Sequence, residues 1–206
     1  MKKIKGELGY KLIVCLFNGI LKRVRKYTVI HPEKLPSDDG FIVIANHRDY
    51  WDYPIVCSIF GTRPVHPLGK AELKKQFSGK ILAFMGAVFV DRTCEQSRKR
   101  SRVELINILK GGRNILLCPE GTRNKTNEIL LPFAGHGAVS IAQKSERPII
   151  PIALSPYGAK GEKRLVQICD PFLVGIDDDL GVANNDLWNC LYNALLSNNE
   201  IIKSMN

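Results

Sequence analysis

Apolar positions along the chain gather into short runs separated by polar turns. Residues 41–45 (FIVIA) form a continuous, β-branched apolar run, the pattern of a strand buried on both faces. Residues 87–90, 114–118 (NILLC), 149–154 and 165–169 repeat it. Between these runs the apolar period lengthens. Over residues 93–111, Val103, Leu105, Ile106 and Leu109 follow a helical repeat. Thr93 with Gln96 gives a capping-box signature at its start, and Gly111 with Gly112 gives a stop. Residues 187–202 read as a closing helix. Strands alternating with helices define an α/β fold, a mostly buried mixed sheet flanked by helices. The 206 residues suit a single domain able to bury a core without disulfide or metal staples.

The N-terminus carries a different pattern. Residues 12–21 (LIVCLFNGIL) are an apolar block, with Lys2, Lys3, Lys5 and Lys11 before it and Lys22, Arg23, Arg25 and Lys26 after it. Ten residues fall short of the ~20 that a membrane-spanning helix needs. A second basic cluster stands where a signal peptide would have small residues and a cleavage site. Leu12, Ile13, Leu16, Phe17 and Ile20 can share one helix face. Two readings stand side by side: an ordinary helix packed on the domain, or an amphipathic helix lying in a membrane interface. In the second, each nearby Lys or Arg adds about 1 kcal/mol of attraction to an anionic leaflet. The chain divides into an N-terminal helical segment, 1–28, and a main domain, 29–206.

Charge sharpens the question of partners. Lys and Arg number 30 against 20 Asp and Glu, a net of +10. The surplus lies in residues 1–35 (+7) and 63–113 (+8), whereas 170–206 carry −5. Such a surplus calls for an anionic partner: nucleic acid, a lipid headgroup surface or a phosphorylated substrate. Nucleic-acid binding predicts aromatics interleaved with basic residues. Tyr50, Trp51 and Tyr53 instead lie among Asp49 and Asp52, so that class is disfavoured. Arg98, Lys99, Arg100 and Arg102 crowd the first half of the 93–111 helix, against its macrodipole, as if something external wants them there. The six cysteines show no CxxC spacing, so no zinc site is expected, and apolar surroundings make Cys57, Cys118 and Cys190 core thiols of a reducing compartment.

Familiar catalytic signatures are absent: there is no GxSxG elbow, GxxxxGK[ST] loop or HExxH. Gly135-His136-Gly137 begins a dinucleotide pattern, but Ser140 stands where its third glycine belongs. Four segments that end or begin strands remain. Asn46-His47-Arg48-Asp49-Tyr50-Trp51-Asp52 follows FIVIA. Five residues along one helix would set His47 and Asp52 about 140° apart. They meet only if His47 sits in the loop and Asp52 opens the next helix. A carboxylate on one imidazole nitrogen would then leave the other as a base; the alternative is a capping Asn46 or Asp49 beside an incidental histidine. Cys118-Pro119-Glu120-Gly121-Thr122-Arg123 follows NILLC, offering close backbone approach, a hydroxyl and a guanidinium fork, or simply a polar turn. Phe89-Val90-Asp91-Arg92 delivers another arginine at a strand end, and Ile150-Pro151-Ile152 begins a strand with proline.

In this order the four segments resemble those of the glycerolipid acyltransferase family. His47 and Asp52 match its H-x4-D motif, residues 86–92 (GAVFVDR) its second block, Pro119 to Arg123 (PEGTR) its third, and Pro151 its fourth; the Lys70-Ala71-Glu72-Leu73 stretch resembles the one that precedes the second block. The resemblance runs from about residue 30 to residue 170. It implies transfer of an acyl chain from acyl-CoA or acyl-carrier protein to the hydroxyl of a lysophospholipid, with 1-acylglycerol-3-phosphate to phosphatidate the expected reaction. His47 would be the general base and Asp52 its orienting partner. Arg92, Glu120, Gly121, Thr122 and Arg123 would hold the acceptor phosphate. No metal or organic cofactor is implied, and the 98–102 segment would meet the donor's phosphates or an acidic carrier protein. A lipid substrate favours the membrane reading of residues 1–28, on an anionic surface at the cytoplasmic face. One departure stands out: where the family has Phe-Lys-x-Gly-Ala, this chain reads Phe133-Ala134-Gly135-His136-Gly137-Ala138. Either Lys125 or His136 replaces the missing lysine, or the acceptor is another lysolipid, such as an amino-acid-linked one.

Overall fold

The computed structural model describes residues 6–24, 26–156 and 164–205. Its strands are β1 (Tyr27–Ile30), β2 (Ile42–Ala45), β3 (Val65–Lys70), β4 (Val88–Val90), β5 (Asn114–Leu117), β6 (Ile149–Leu154) and β7 (Arg164–Ile168). They form one sheet in the order β1-β7-β6-β2-β5-β3-β4. Neighbours are parallel except β6 and β7, which run antiparallel. The helices are α1 (Glu7–Val24), α2 (Asp52–Phe60), α3 (Phe77–Phe84), α4 (Glu95–Lys110), α5 (Gly137–Ser145) and α6 (Leu180–Met205). This is the single α/β domain with a mixed sheet that the apolar pattern implies.

Strand periodicity explains the layering. Successive side chains of β2 point to opposite faces. Ile42 and Ile44 join one core with Leu105 and Leu109 of α4, Val139 of α5 and Leu187 of α6. Val43 and Ala45 join the other with Tyr10 and Val14 of α1, Ile55 and Val56 of α2, and Met85 just after α3. Both faces are therefore covered, and the central strands can be apolar throughout.

Two strands escape the apolar pattern. β1 is a four-residue edge strand. β3 (VHPLGK) is broken by His66, Pro67 and Gly69, yet lies between β5 and β4. It pairs with β5 through Val65–Pro67 and with β4 through Leu68–Lys70, so Pro67 sits where pairing passes from one neighbour to the other. Pro151 is the third residue of β6, opposite Ile44, rather than its start.

The capping box at Thr93 does not form. The N-cap of α4 is Cys94, without a side-chain bond. Thr93 instead gives its N–H and its hydroxyl to Asp91 Oδ1 (2.9 and 2.6 Å), and the Asp91 N–H donates to Ser97 Oγ (2.9 Å). A local aspartate turn has outcompeted the helix cap for the same side chain. The stop at Gly111 and Gly112 holds, with Gly112 at φ +71°.

α1 packs on the domain, and Ile13 turns inward to the core and the cavity instead of sharing a face with Leu12 and Leu16. Tyr10 and Val14 are buried and the helix packs on α2, while Leu8, Leu12 and Leu16 face outward. Lys2, Lys3, Lys5 and Arg25 lie outside the described residues, as do the side chains of Phe17, Ile20, Lys22 and Arg23. No helix of the described residues is long and apolar enough to cross a membrane.

Candidate functional site

Because β2, β5, β3 and β4 are parallel neighbours, the segments after them emerge along one edge of the sheet. Ligands of parallel α/β sheets bind in the crevice outside such carboxyl ends. His47 follows β2, Gly121 to Arg123 follow β5, Lys70 ends β3 and Arg92 follows β4. All six residues line one cavity of about 520 Å³.

The H-x4-D spacing closes around a single carboxylate. Asp52 is the first residue of α2, and its Oδ2 accepts the N–H groups of Arg48 (2.7 Å) and Asp49 (2.8 Å). A carboxylate is favoured there by the free N–H groups and positive end of the helix. The same oxygen lies 2.8 Å from His47 Nδ1. A carboxylate only accepts, so Nδ1 carries a proton, and in the neutral ring Nε2 is then the nitrogen with the lone pair. His47 is 28 % exposed and Asp52 2 %, so the imidazole faces the cavity while its partner stands behind it. Burial works to raise the Asp52 carboxyl, but the His47 hydrogen bond, the Arg164 charge and the backbone donors hold it below the ordinary carboxylate range.

The PEGTR segment grips the histidine as well as lining the cavity. Glu120 is buried: Oε2 accepts the N–H of His47 (2.6 Å) and Oε1 that of Leu131 (3.1 Å). Asn124 N–H donates to the His47 carbonyl (2.6 Å). Both sides of the His47 backbone are thus held by the loop after β5. Of the residues expected at the acceptor phosphate, Glu120 stands outside the cavity lining and anchors backbone instead. Desolvation raises its carboxyl above the ordinary range, against the pull of those two N–H groups.

The other expected contacts reach the cavity. Gly121 adopts φ +72°, and a Cβ there would run into the Arg92 guanidinium, whose Nη1 donates to the Gly121 carbonyl. Arg123 stacks its guanidinium 3.7 Å over the Tyr50 ring. Thr122 is exposed at the rim. Lys125 and His136, the two candidates to replace the family's lysine, do not line the cavity; Lys70 does. The lysine and arginine side chains in the lining are therefore Lys70, Arg92 and Arg123. Apolar lining comes from Ile13 of α1, Pro54 and Cys57 of α2, and Ile81 and Leu82 of α3. Burial pushes the Cys57 thiol up to about 12 and the Cys118 thiol higher, so neither is set up as a nucleophile. Among the described residues no group of three or more His, Cys, Asp or Glu could hold a metal ion.

Three residues at this site have only faint sequence signals. Asn46 is fully buried and bridges β2 to the end of β6, donating to the Leu154 carbonyl (2.9 Å) and accepting its N–H (2.8 Å). Its neighbour His47 is placed by that splice. Tyr50 supports Arg123. Arg164, at the start of β7, donates from Nη1 to Asp52 Oδ1 (2.6 Å).

A histidine–aspartate pair at the carboxyl edge of this sheet, beside a basic turn, is the arrangement of an acyltransferase domain. The acyltransferase family model matches residues 26–155, and the chain belongs to that family. It is 31 % identical over 146 residues to 1-acyl-sn-glycerol-3-phosphate acyltransferase of Bacillus subtilis, covering 69 % of this chain and 66 % of that protein. With the enzyme of the same name from Borreliella burgdorferi it shares 29 % identity over 129 residues, 63 % of this chain and 51 % of that one. The chain thus spans about half to two thirds of these two relatives. The crystal structure of the 1-acyl-sn-glycerophosphate (LPA) acyltransferase PlsC from Thermotoga maritima has the same fold, with a TM-score of 0.72 at 23 % identity over 91 % of this chain and 80 % of that one.

Proposed function

We propose that the protein moves an acyl chain from an acyl thioester to the hydroxyl of a lysophospholipid, with 1-acylglycerol-3-phosphate as acceptor and phosphatidate as product. One observation carries this reading: His47, oriented by Asp52, opens onto a cavity whose lining combines the cations Lys70, Arg92 and Arg123 with many apolar side chains. A phosphorylated headgroup suits the cations of that lining and an acyl chain its apolar side chains. His47 Nε2 takes the proton of the acceptor hydroxyl as its oxygen attacks the thioester carbonyl. The tetrahedral intermediate collapses, the C–S bond breaks, and His47 returns the proton to the departing sulfur. The thioester is already activated, so the scheme uses no metal or organic cofactor. Raised thiols at Cys57 and Cys118 favour direct attack over an acyl-enzyme. A purified-enzyme assay crossing acyl-CoA and acyl-carrier protein with lysophosphatidate and other lysolipids tests the reading. Lysophosphatidate is expected to be the best acceptor; preference for an amino-acid-linked lysolipid would reassign it.

Arg92 and Arg123, with Lys70, hold the acceptor phosphate. A charge-assisted contact of this kind contributes ~1.5–3 kcal/mol, so Arg92→Ala and Arg123→Ala each raise the acceptor KM by about 10- to 100-fold. The donor KM stays nearly constant. A rise confined to the donor would place these arginines in the thioester pocket.

The membrane contact is α1 together with α3, on the cytosolic side. Leu8 (82 % exposed), Leu12 and Leu16 are stacked every four residues on the outward face of α1, and Phe77 (80 % exposed) and Phe84 stand out from α3. The two helices touch, for a Cβ at Gly9 would strike Phe84. Lys11 and Lys80 are exposed on the same helices. Leu8→Ser, Leu12→Ser and Leu16→Ser combined should leave the fold intact and release the protein from anionic vesicles in a flotation assay. High salt should weaken wild-type binding without abolishing it. If the triple variant floats as fully as wild type, the contact lies elsewhere.

A further inference from the structure

Arg164 is fully buried, an expensive position for a guanidinium unless its partners are well placed. Its partners are specific. Nη1 donates to Asp52 Oδ1 (2.6 Å) and Nε to the Ser155 carbonyl (2.5 Å). Ser155 is in turn tied to the next residue of β7: its N–H donates to the Leu165 carbonyl (3.0 Å), and its hydroxyl accepts the Leu165 N–H (2.9 Å). The antiparallel β6–β7 pairing thus delivers the arginine to the catalytic carboxylate. The two oxygens of Asp52 then have separate tasks. Oδ2 serves His47 and two backbone N–H groups; Oδ1 serves Arg164.

We propose that Arg164 is a positioning residue for the transfer reaction, fixing the Asp52 carboxylate for His47 and keeping the His47–Asp52 pair from retaining a proton. A carboxylate with no cation on its far oxygen favours the charged form of a neighbouring imidazole, which cannot act as a base. A fixed cation on the far oxygen weakens that hold. The groups around the carboxylate are His47, Arg48 and Asp49 from the loop after β2, Cys118 and Glu120 from the loop after β5, and Arg164 from β7, with Arg92 on the Cys118 side. Among the described residues, Arg164 alone sets a full positive charge on Oδ1.

This inference rests on His47 being the base, and the experiment separates the two ideas. Arg164→Gln keeps donors and removes the charge; Arg164→Lys keeps the charge and removes the planar fork. Each is purified, its melting temperature is recorded, and kcat and both KM values are followed against pH. In Arg164→Gln the acidic limb of the rate profile moves up by about one pH unit, with both KM values within about twofold of wild type and kcat at the optimum down about tenfold. In Arg164→Lys the limb stays in place and kcat falls by a similar factor. A folded Arg164→Gln variant with the wild-type limb overturns the proposal. If that variant does not fold, Arg164→Lys decides: wild-type kcat overturns it, and a loss of kcat at an unmoved limb upholds it. His47→Ala runs alongside. Near-normal turnover there removes the base itself, independently of any Arg164 result.

Discussion

Turnover of His47→Ala falls by about 10²–10⁴-fold, the range lost when a positioned general base is removed. An alcohol is a poor nucleophile near neutral pH, and His47 Nε2 is the acceptor that the Nδ1–Asp52 bond leaves free. The fold should survive the change. His47 is held through its backbone by Glu120 and Asn124, and alanine keeps both contacts. The loss therefore falls on kcat, with the KM values for both substrates little altered. Steady-state kinetics on the purified variant check this, and near-normal turnover would sink the mechanism.

Asp52→Ala carries a double penalty. Without the carboxylate, His47 loses the acceptor that fixes its tautomer, and turnover falls by at least about 10²-fold. The same change strands Arg164, fully buried, beside the missing charge. Breaking a buried pair from one side costs roughly 3–5 kcal/mol, or about 6–20 °C in melting temperature for a domain of this size. The pH dependence follows from the carboxyl lying below its ordinary range in the folded protein. Its stabilisation is fully present above the unfolded carboxylate value, about 3.9. It fades as pH falls through the lower folded value. The gap in melting temperature between wild type and Asp52→Asn should be widest near neutral pH and close on strong acidification. A constant gap would show that the ion pair is not its source.

The buried middle of the sheet is legible because both faces of β2, β5 and β6 are covered, so the run FIVIA is apolar at every position. β3 is hidden for a local reason. Its two sides pair with different neighbours over different residues, which lets His66, Pro67 and Gly69 occupy an interior strand. The meeting of His47 and Asp52 follows from spacing, since only a loop-to-helix boundary brings them together. Glu120 shows what sequence leaves out. A carboxylate amid Gly, Thr and Arg reads as a ligand contact, yet both its oxygens are taken by backbone N–H groups. Arg164 is hard to read at all. An arginine opening an apolar run resembles a solvated strand end, and its partner is 112 residues away.

Those separations shape how the site comes into being. Its defining contacts join His47 to Glu120 across 73 residues, Asn46 to Leu154 across 108 and Asp52 to Arg164 across 112. Each closes a long loop before it gains anything, and such contacts form late. The growing chain on the ribosome carries its histidine and aspartate early, and Oδ2 has its partners within five residues, but the Arg164 and Leu154 contacts need β7 and β6. A chain that ends before β6 and β7 therefore carries the motif without the contacts that complete it.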